Sequence, residues 1–274
     1  MPTFTAPLTE LQRAFAAVAP YVSDDWVTPV ITTVALVPDG NGTKLLATDR
    51  YCAAEYLLPD AKITNPHLGP LVPGKDQQAQ FLVPMDVVRF VRTLTKKQLL
   101  LGDRVGATKA GEEKQGPEDY TVTLFAPDRE PGDGPDDNVK RLRWRGSGAW
   151  PDDRLTVTII DPDGSVEFER SFFAVPGMFP PVGTLFPAEI PDRPIDAIGM
   201  NPRFLERIAK SARALATSRS ALSTDPVVLR FWMSEGGKNP APMLVEFQGA
   251  PLRVIIQPNV LVTRPGGLAQ DQAA

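Results

Sequence analysis

The stretch that decides the fold is NPRFLERIAKSARAL, residues 201–215. Asn201 suits a helix N-cap and Pro202 suits the first helical position, so a helix is predicted to begin here. Its apolar face carries, at three- and four-residue steps, Phe204, Leu205, Ile208, Ala212 and Leu215. Another face carries Arg203, Arg207, Lys210 and Arg213, with Glu206 nearby. Packed against a sheet, this helix would point a row of cations outward, although an ordinary solvated helix face has the same pattern.

Bulk properties narrow the class of protein. At 274 residues the chain can form one large domain or two ordinary ones, and 42% hydrophobic with 23% charged residues is typical of a soluble globular protein. No apolar run approaches the roughly 20 residues that cross a bilayer, and the start of the chain lacks a signal-peptide pattern. We therefore expect a cytoplasmic protein without a membrane partner. A net charge of −4 argues against diffuse coating of nucleic acid but permits a local basic surface.

Little in the sequence points to catalysis. Cys52 and His67 are the single cysteine and histidine, so neither a Cys/His metal centre nor a His-based triad is expected. We expect no metal, no cofactor and no enzymatic activity. The acidic loop between Asp128 and Asp137 leaves one alternative, an enzyme acting on phosphate esters, but it lacks the ligand spacing of an EF-hand.

A unit of short strand, amphipathic helix and about three strands is predicted three times, starting near residues 4, 81 and 197. In the first unit the strands are predicted at 30–37, 44–48 and 50–58, and Arg13 is the one basic residue of the helix. In the second unit, Arg89, Arg92 and Lys96 lie outside the apolar helix face. Its strands are predicted at 98–101, 120–125, 139–144, 155–160 and 166–173. The third unit adds strands at 227–233, 243–247 and 252–257.

The order of these segments resembles that of the bacterial DNA sliding clamp, the β subunit of DNA polymerase III. Four stretches carry the resemblance: FTAPLTELQRAFAAVAPYV with PVITTVALV, LLATDRYCAAEYLLP, FFAVPGMFPPVGTLFP, and IGMNPRFLERIAKSARAL with the strands that follow it. The resemblance implies an α+β DNA-clamp fold of repeated βαβββ units, with antiparallel sheets outside and short helices on the inner face. Residues 1–190 would form a clamp-like domain with an insertion around 97–154, residues 191–263 a C-terminal unit, and 264–274 a disordered tail.

The resemblance also implies a function. A clamp encircles duplex DNA without reading its sequence, and lysine and arginine on its inner helices attract phosphate. The residues expected to contact DNA are Arg13, Arg89, Arg92, Lys96, Arg203, Arg207, Lys210 and Arg213. Twelve helices close the family's ring, so three units per chain imply a homo-oligomer of four chains, or of three if 97–154 hides a fourth unit. The short, divergent chain would suit a phage or mobile element. An alternative is a clamp-fold interaction module that does not encircle DNA.

Family members also dock the polymerase, the clamp loader and other replication proteins through short apolar peptides. The positions that match this peptide pocket are Ile31, Thr48, Arg50, Tyr51, Cys52, Pro187, Ile255, Gln257, Pro258 and Asn259. Ile31, expected on the first strand, and Ile255 would equally suit ordinary core positions. Because Arg50, Tyr51, Cys52 and Asn259 depart from the family pattern, we expect a dedicated partner rather than the usual host peptides.

Overall fold

Three helices and thirteen strands form the framework of the computed structural model, which describes residues 3–64, 67–68, 79–95, 120–125, 154–175, 177–187, 189, 199–216, 226–232 and 241–258. The helices are α1 (Leu8–Val18), α2 (Met85–Thr93) and α3 (Pro202–Leu215). The strands are β1 (Thr3–Pro7), β2 (Thr33–Asp39), β3 (Gly42–Thr48), β4 (Cys52–Leu58), β5 (Lys62–Thr64), β6 (His67–Leu68), β7 (Ala79–Pro84), β8 (Thr121–Phe125), β9 (Arg154–Ile160), β10 (Val166–Phe173), β11 (Val227–Arg230), β12 (Met243–Phe247) and β13 (Leu252–Ile256).

The three predicted units recur in the element order. They are β1-α1-β2-β3-β4, β7-α2-β8-β9-β10 and α3-β11-β12-β13. Before α3, one residue, Gly199, makes an isolated strand-type pairing. The strands predicted at 120–125, 155–160 and 166–173 are confirmed as β8, β9 and β10. The strands predicted at 98–101 and 139–144, the acidic loop and the tail lie outside the described residues.

Two predicted strands begin later in the chain than expected. Residues Pro29–Thr32 form a 3₁₀ turn, so β2 starts at Thr33 rather than at Val30, and Ile31 is not on a strand. Pro29 opens this turn because its ring fixes φ and it has no N–H to donate. Similarly, β4 begins at Cys52, after a turn that Asp49 holds by accepting bonds from the N–H groups that follow it.

All strand pairs within the two main sheets are antiparallel. One sheet has the order β10-β9-β8-β1-β5, and the other has the order β11-β12-β13-β4-β3-β2-β7-β6. The first strand of each of the first two units lies in the sheet built by the other unit, since β1 pairs with β8 and β7 pairs with β2. The third unit joins through β13, which pairs with β4 from Leu252 opposite Tyr56 to Ile256 opposite Cys52. The predicted α+β class with antiparallel sheets is confirmed.

The eight-stranded sheet is buried on both faces, which explains its continuous apolar runs. Val34 and Leu36 of β2 point into a cluster shared with the helices, whereas Ala35 and Val37 point into a second cluster on the opposite face. The five-stranded sheet contributes one face to the helix-side cluster. The helices therefore pack against one side of both sheets, and the amphipathic patterns read from the sequence supply the contact.

The segment 177–187 covers the far face of the eight-stranded sheet. Phe179, Val182 and Phe186 are buried there together with Trp232. Gly177 has a φ of +121°, and a Cβ at this position would lie 2.6 Å from a methyl of Val30, so a side chain would be strained and would clash. This segment is thus part of the core that fixes the third unit on the first.

A cross-strand ion pair reinforces this junction. Glu55 of β4 is buried on the far face and accepts a hydrogen bond of 2.8 Å from Nε of Arg253, which lies opposite it on β13. The guanidinium of Arg253 also lies over the ring of Phe186, 5.2 Å from its centroid. Within the part of the chain that the structure describes, no helix is long and apolar enough to span a membrane.

Candidate nucleic-acid interface

Helix α1 holds the C-terminal ends of both neighbouring helices. The amide nitrogen of Gln12 donates to the carbonyl oxygens of Val91 (2.9 Å) and Leu94 (2.8 Å) at the end of α2. The guanidinium of Arg13 donates to the carbonyl of Leu215 at the end of α3 (2.5 Å). The last carbonyls of a helix lack the regular partner within that helix, so these two side chains add hydrogen bonds there; the carbonyl of Val91 also accepts one from the N–H of Leu94 (3.3 Å).

A small-residue contact brings α3 close to α1. The hydroxyl of Ser211, which is fully buried, donates to the carbonyl of Ala17 (2.7 Å). The phenol of Tyr21 lies 3.4 Å from the same hydroxyl, and burial raises the pKa of this phenol. A bulky side chain at Ser211 would push the helices apart. In the sequence Ser211 lies on the same face of α3 as Phe204, Ile208 and Leu215, and in the structure its hydroxyl contacts α1.

The three helices enclose an open groove lined by cations. Arg92 of α2 and both Lys210 and Arg213 of α3 line it. Its remaining lining residues are small or apolar: Ala16, Ala19, Pro20, Met85 and Ala214. The groove has a volume of about 530 Å³. Long charged side chains around an uncharged floor can approach a phosphate backbone without base-specific contacts.

Several other predicted DNA contacts are also on the surface. Arg203 and Arg89 are exposed, and Arg89 forms an ion pair of 3.0 Å with Asp86 one turn earlier. Lys210 forms a similar pair of 2.8 Å with Glu206. Exposed pairs of this kind contribute little to stability, so both cations remain available to a phosphate. Lys96 lies outside the described residues.

Two of the residues predicted to contact DNA are bound to other parts of the protein. Arg13 caps α3, as described above. Arg207 turns toward the turn between β3 and β4, where its guanidinium pairs with the carboxylate of Asp49 and donates to Sγ of Cys52 at 3.0 Å. Both ion-paired side chains are largely buried, with 17% and 12% of their surface exposed. Arg207 therefore departs from the expected outward row, because α3 packs with this part of its basic face against the first unit.

This cluster has unusual protonation properties. Burial disfavours the charged carboxylate, but hydrogen bonds from the Cys52 thiol and from Arg207 outweigh burial and hold the pKa of Asp49 below its ordinary value. Burial and the neighbouring Asp49 raise the pKa of the Cys52 thiol. Cys52 thus stays protonated at neutral pH and is a poor nucleophile. The cluster is a structural junction between α3 and the first unit.

Part of the predicted peptide pocket comes together at one end of the β4–β13 pair. The N–H of Gln257 donates to the carbonyl of Tyr51 (2.8 Å), and Ile255 lies opposite Ala53. The hydroxyl of Thr48 donates to the carbonyl of Cys52 across the turn (2.7 Å). Tyr51 has 66% of its surface exposed, whereas Pro258, which follows Gln257, is buried.

Arg50 occupies a strained position in the same turn. Its φ of +79° lies in the left-handed region, which a residue with a side chain rarely adopts. Its guanidinium pairs with Asp25 at 3.0 Å and donates to Thr28, so the turn is tied to the loop that carries Trp26 and Val27. That loop was not among the predicted site residues, although a tryptophan in the polar run SDDWVT was a signal for it.

The other residues predicted for the peptide pocket lie on different elements of the fold. Ile31 is buried in the 3₁₀ turn before β2, and Ile255 is buried in the far-face cluster, as the core interpretation of both residues expected. Pro187 is half-buried at the end of the 177–187 segment. Asn259 lies outside the described residues.

Comparison with solved structures finds similarity to DNA polymerase III β subunits, the family that the sequence resembles. A putative β subunit from Eubacterium rectale is 9% identical, with 97% of this chain and 67% of that chain covered and a TM-score of 0.45. The Pseudomonas aeruginosa subunit is 13% identical, with 94% of this chain and 66% of that chain covered and a TM-score of 0.48. The Thermotoga maritima subunit is 12% identical, with 97% of this chain and 66% of that chain covered and a TM-score of 0.42. This chain therefore spans about two thirds of their length. Comparison with protein-family models and with curated proteins finds no match.

The Asp49 junction predicts a specific pH dependence. A carboxyl whose pKa is lowered by folding stabilises the protein above its unfolded-state pKa of about 4, and this contribution is lost as the pH falls through the folded-state pKa. We expect Asp49→Asn to lower the free energy of unfolding at pH 7 by about 3 kcal/mol, because Arg207 is left buried without its partner. It should also make this free energy fall less steeply below pH 4. Urea unfolding at several pH values measures both effects.

The matched control for this prediction is Asp60→Asn, which removes an exposed carboxylate. It should leave both quantities nearly unchanged. An acid dependence equally steep in the Asp49→Asn variant and the unaltered protein would show that the junction does not stabilise the fold electrostatically.

Proposed function

We propose that this protein is a clamp-like processivity factor that holds duplex DNA without sequence specificity and docks replication proteins through short peptides. The observation that carries the proposal is the groove in which Arg92, Lys210 and Arg213 from two different helices meet over α1. These cations belong to a chain whose net charge is −4, so the groove is a local basic surface on an acidic protein. A local basic surface on an acidic protein favours polyanion binding at one place.

The residue types in the groove suit a loose hold on DNA. Lysine and arginine neutralise phosphate through screened charge, partly across water, and this contribution does not depend on base sequence. The floor residues Ala16, Ala19 and Pro20 offer no side-chain hydrogen-bonding group that could read a base edge. A protein held in this way binds any duplex and can slide along it.

Encirclement requires more than one chain. In this proposal each chain contributes α1, α2 and α3 to the wall of a closed homo-oligomer, with residues 1–190 as a clamp-like domain and 191–263 as a further half-domain. The polymerase and its loader would then dock outside the channel, near the turn that carries Arg50 and Tyr51. Support for that docking place comes from the exposed Tyr51 and from the neighbouring Trp26 and Val27, which are also exposed.

The groove predicts how DNA binding depends on salt. The double substitution Arg92→Gln with Arg213→Gln removes one groove cation from each helix without touching the Asp49 junction. Each phosphate contact contributes about 0.9 to the slope of log K against log salt concentration, so the slope should become shallower by about 2. Fluorescence anisotropy with a labelled duplex of random sequence, titrated at several salt concentrations, measures this slope.

A matched control neutralises two cations away from the helices. Lys62→Gln with Arg230→Gln removes the same charge from β5 and β11, and the slope should stay within about 0.5 of its original value. Equal slopes for the groove variant and the unaltered protein, with the fold intact by circular dichroism, would contradict the groove as the DNA-binding surface.

The proposed peptide-docking site is expected to select different peptides from those that bind bacterial clamps. Arg50 and Tyr51 depart from the pattern of the family that the sequence resembles, and the guanidinium of Arg50 is held beside Tyr51 by Asp25 and Thr28. We expect a peptide that binds bacterial clamps to bind this protein weakly or not at all. Isothermal titration calorimetry tests this expectation, and a dissociation constant in the micromolar range or tighter would contradict it.

A further inference from the structure

The first two units complete each other by exchanging a strand. The strand that precedes each helix pairs with the first strand that follows the other helix, since β1 pairs with β8 and β7 pairs with β2. Strands β2 and β8 therefore have a neighbour on both edges. Strand β11 is the first strand after α3, but in the part of the chain that the structure describes no strand pairs with its outer edge. Among these residues, the third unit thus lacks the cover that the first two units give each other.

The helices show the same difference in burial. The fourth residue of each helix is apolar: Leu11 in α1, Val88 in α2 and Leu205 in α3. Leu11 and Val88 are fully buried, whereas Leu205 has 50% of its surface exposed. Because α3 shares its apolar periodicity with the other two helices, the exposure of Leu205 indicates a helix face that a single chain leaves uncovered.

The covered strands also bury a leucine that β11 exposes. Leu36 of β2 and Leu124 of β8 are fully buried on the helix side, where they lie opposite Phe81 and Phe4 of the exchanged strands. Leu229 of β11 faces the same side of its sheet, but 36% of its surface is exposed. The uncovered place on β11 is therefore the place that an apolar side chain of an exchanged strand fills in the other two units.

The residues before α3 have the sequence pattern of an exchanged strand. Before each helix, apolar residues stand four and two positions ahead of the first helical residue: Phe4 and Ala6, Phe81 and Val83, and Ile198 and Met200. Ile198 lies outside the described residues, and Met200 packs against the helix-side cluster to which Ala6 and Val83 belong. This alternation directly before a helix is the one that β1 and β7 use to cover the other unit.

We propose that the third units of two copies of this chain complete each other in the same way, so that two chains jointly form one domain about a two-fold axis. The stretch before α3 of each copy then covers β11 of the other, and the two Leu205 side chains are buried between the copies. This contact lies within a domain and differs from the pairing of β4 with β13, which joins the last strands of two units. The inference rests on the proposed function only in supplying one contact of the proposed oligomer.

The exchange inside the chain fixes the register of the proposed one. Val83 lies opposite Val34 and Ala6 lies opposite Val122, so the residue two positions before each helix meets the first helix-side residue of the covered strand. The same register in the third unit gives three opposite pairs: Met200 with Val227, Gly199 with Val228, and Ile198 with Leu229. The exposed leucine of β11 is then covered by an apolar side chain of the second copy.

A disulfide tests this register directly. In the full chain, Gly199→Cys with Val228→Cys places each introduced thiol opposite a thiol of the second copy, at about 5 Å between Cβ atoms and within reach of a disulfide after small adjustments. Mild oxidation should convert more than half of the protein into a covalent dimer, measured by non-reducing electrophoresis and mass spectrometry. The native Cys52 is buried, with 3% of its surface exposed, and does not interfere.

The matched control carries the same number of thiols. Gly199→Cys with Asp163→Cys moves the second thiol to the exposed turn between β9 and β10 and should give little covalent dimer. A folded Gly199→Cys, Val228→Cys variant that forms no more dimer than this control would overturn the proposal. A disulfide within one chain would also overturn it, because the stretch before α3 would then lie against β11 of its own unit.

A second variant tests the helix contact and leaves the single chain folded. Leu205→Arg changes a side chain that is exposed in one copy but buried between two, so it should raise the dissociation constant of the dimer at least tenfold. Leu185→Arg, at a leucine with 55% of its surface exposed in the 177–187 segment, should leave this constant unchanged within about twofold. Sedimentation equilibrium measures both constants.

An unchanged dissociation constant in the Leu205→Arg variant would overturn the proposal, as would an unaltered chain that remains monomeric at about 100 µM protein. None of these measurements contains DNA, and the groove variant that tests DNA binding leaves β11 and Leu205 unaltered. Failure of this inference and failure of the proposed function are therefore distinguishable.

Discussion

The rest of the structure depends on the position of α1 between the other two helices. Gln12 and Arg13 are consecutive residues, so their side chains leave α1 in different directions, and each satisfies carbonyl oxygens at the end of one neighbouring helix. Arg92 and Arg213 both lie in the last turns of those neighbours, where a cation also interacts favourably with the helix dipole. Holding the two C-terminal ends against α1 therefore brings these cations to one place. The groove is a consequence of how the helices are capped.

The sheets make this arrangement rigid. The eight-stranded sheet is buried on both faces. The third unit is fixed to the first by the pairing of β13 with β4, by the ion pair of Glu55 with Arg253, and by the 177–187 segment on the far face. The junction of Asp49 with Arg207 adds a contact from α3 to the turn before β4. The helices of the first and third units are thus positioned by the same strands that join those units.

Local features of the sequence predicted a large part of this structure. The start of α3 follows from Asn201 and Pro202, and in the structure the Asn201 carboxamide accepts a hydrogen bond of 3.0 Å from the N–H of Arg203. The three amphipathic helices, most strands and the α+β class follow from periodicity in the same way. Each of these features depends on residues that are close together in the chain.

Contacts between distant residues could not be predicted in this way. Asp49 and Arg207 are 158 residues apart, and nothing in the pattern of α3 distinguishes Arg207 from Arg203 or Lys210. Which cation is buried depends on the angle at which α3 meets the first unit. The exchange of β1 and β7 between sheets, and the pairing of β13 with β4, likewise depend on topology. The helix-capping role of Arg13 could not be separated from a surface charge for the same reason.

The most direct test of the central claim is a cryo-electron microscopy map of the full chain bound to a duplex of random sequence. The account predicts duplex density against the groove formed by α1, α2 and α3, with the phosphate backbone beside Arg92 and Arg213 and the sheets on the far side. Density against the far face of the eight-stranded sheet, or free duplex with no complex at low salt, would contradict it.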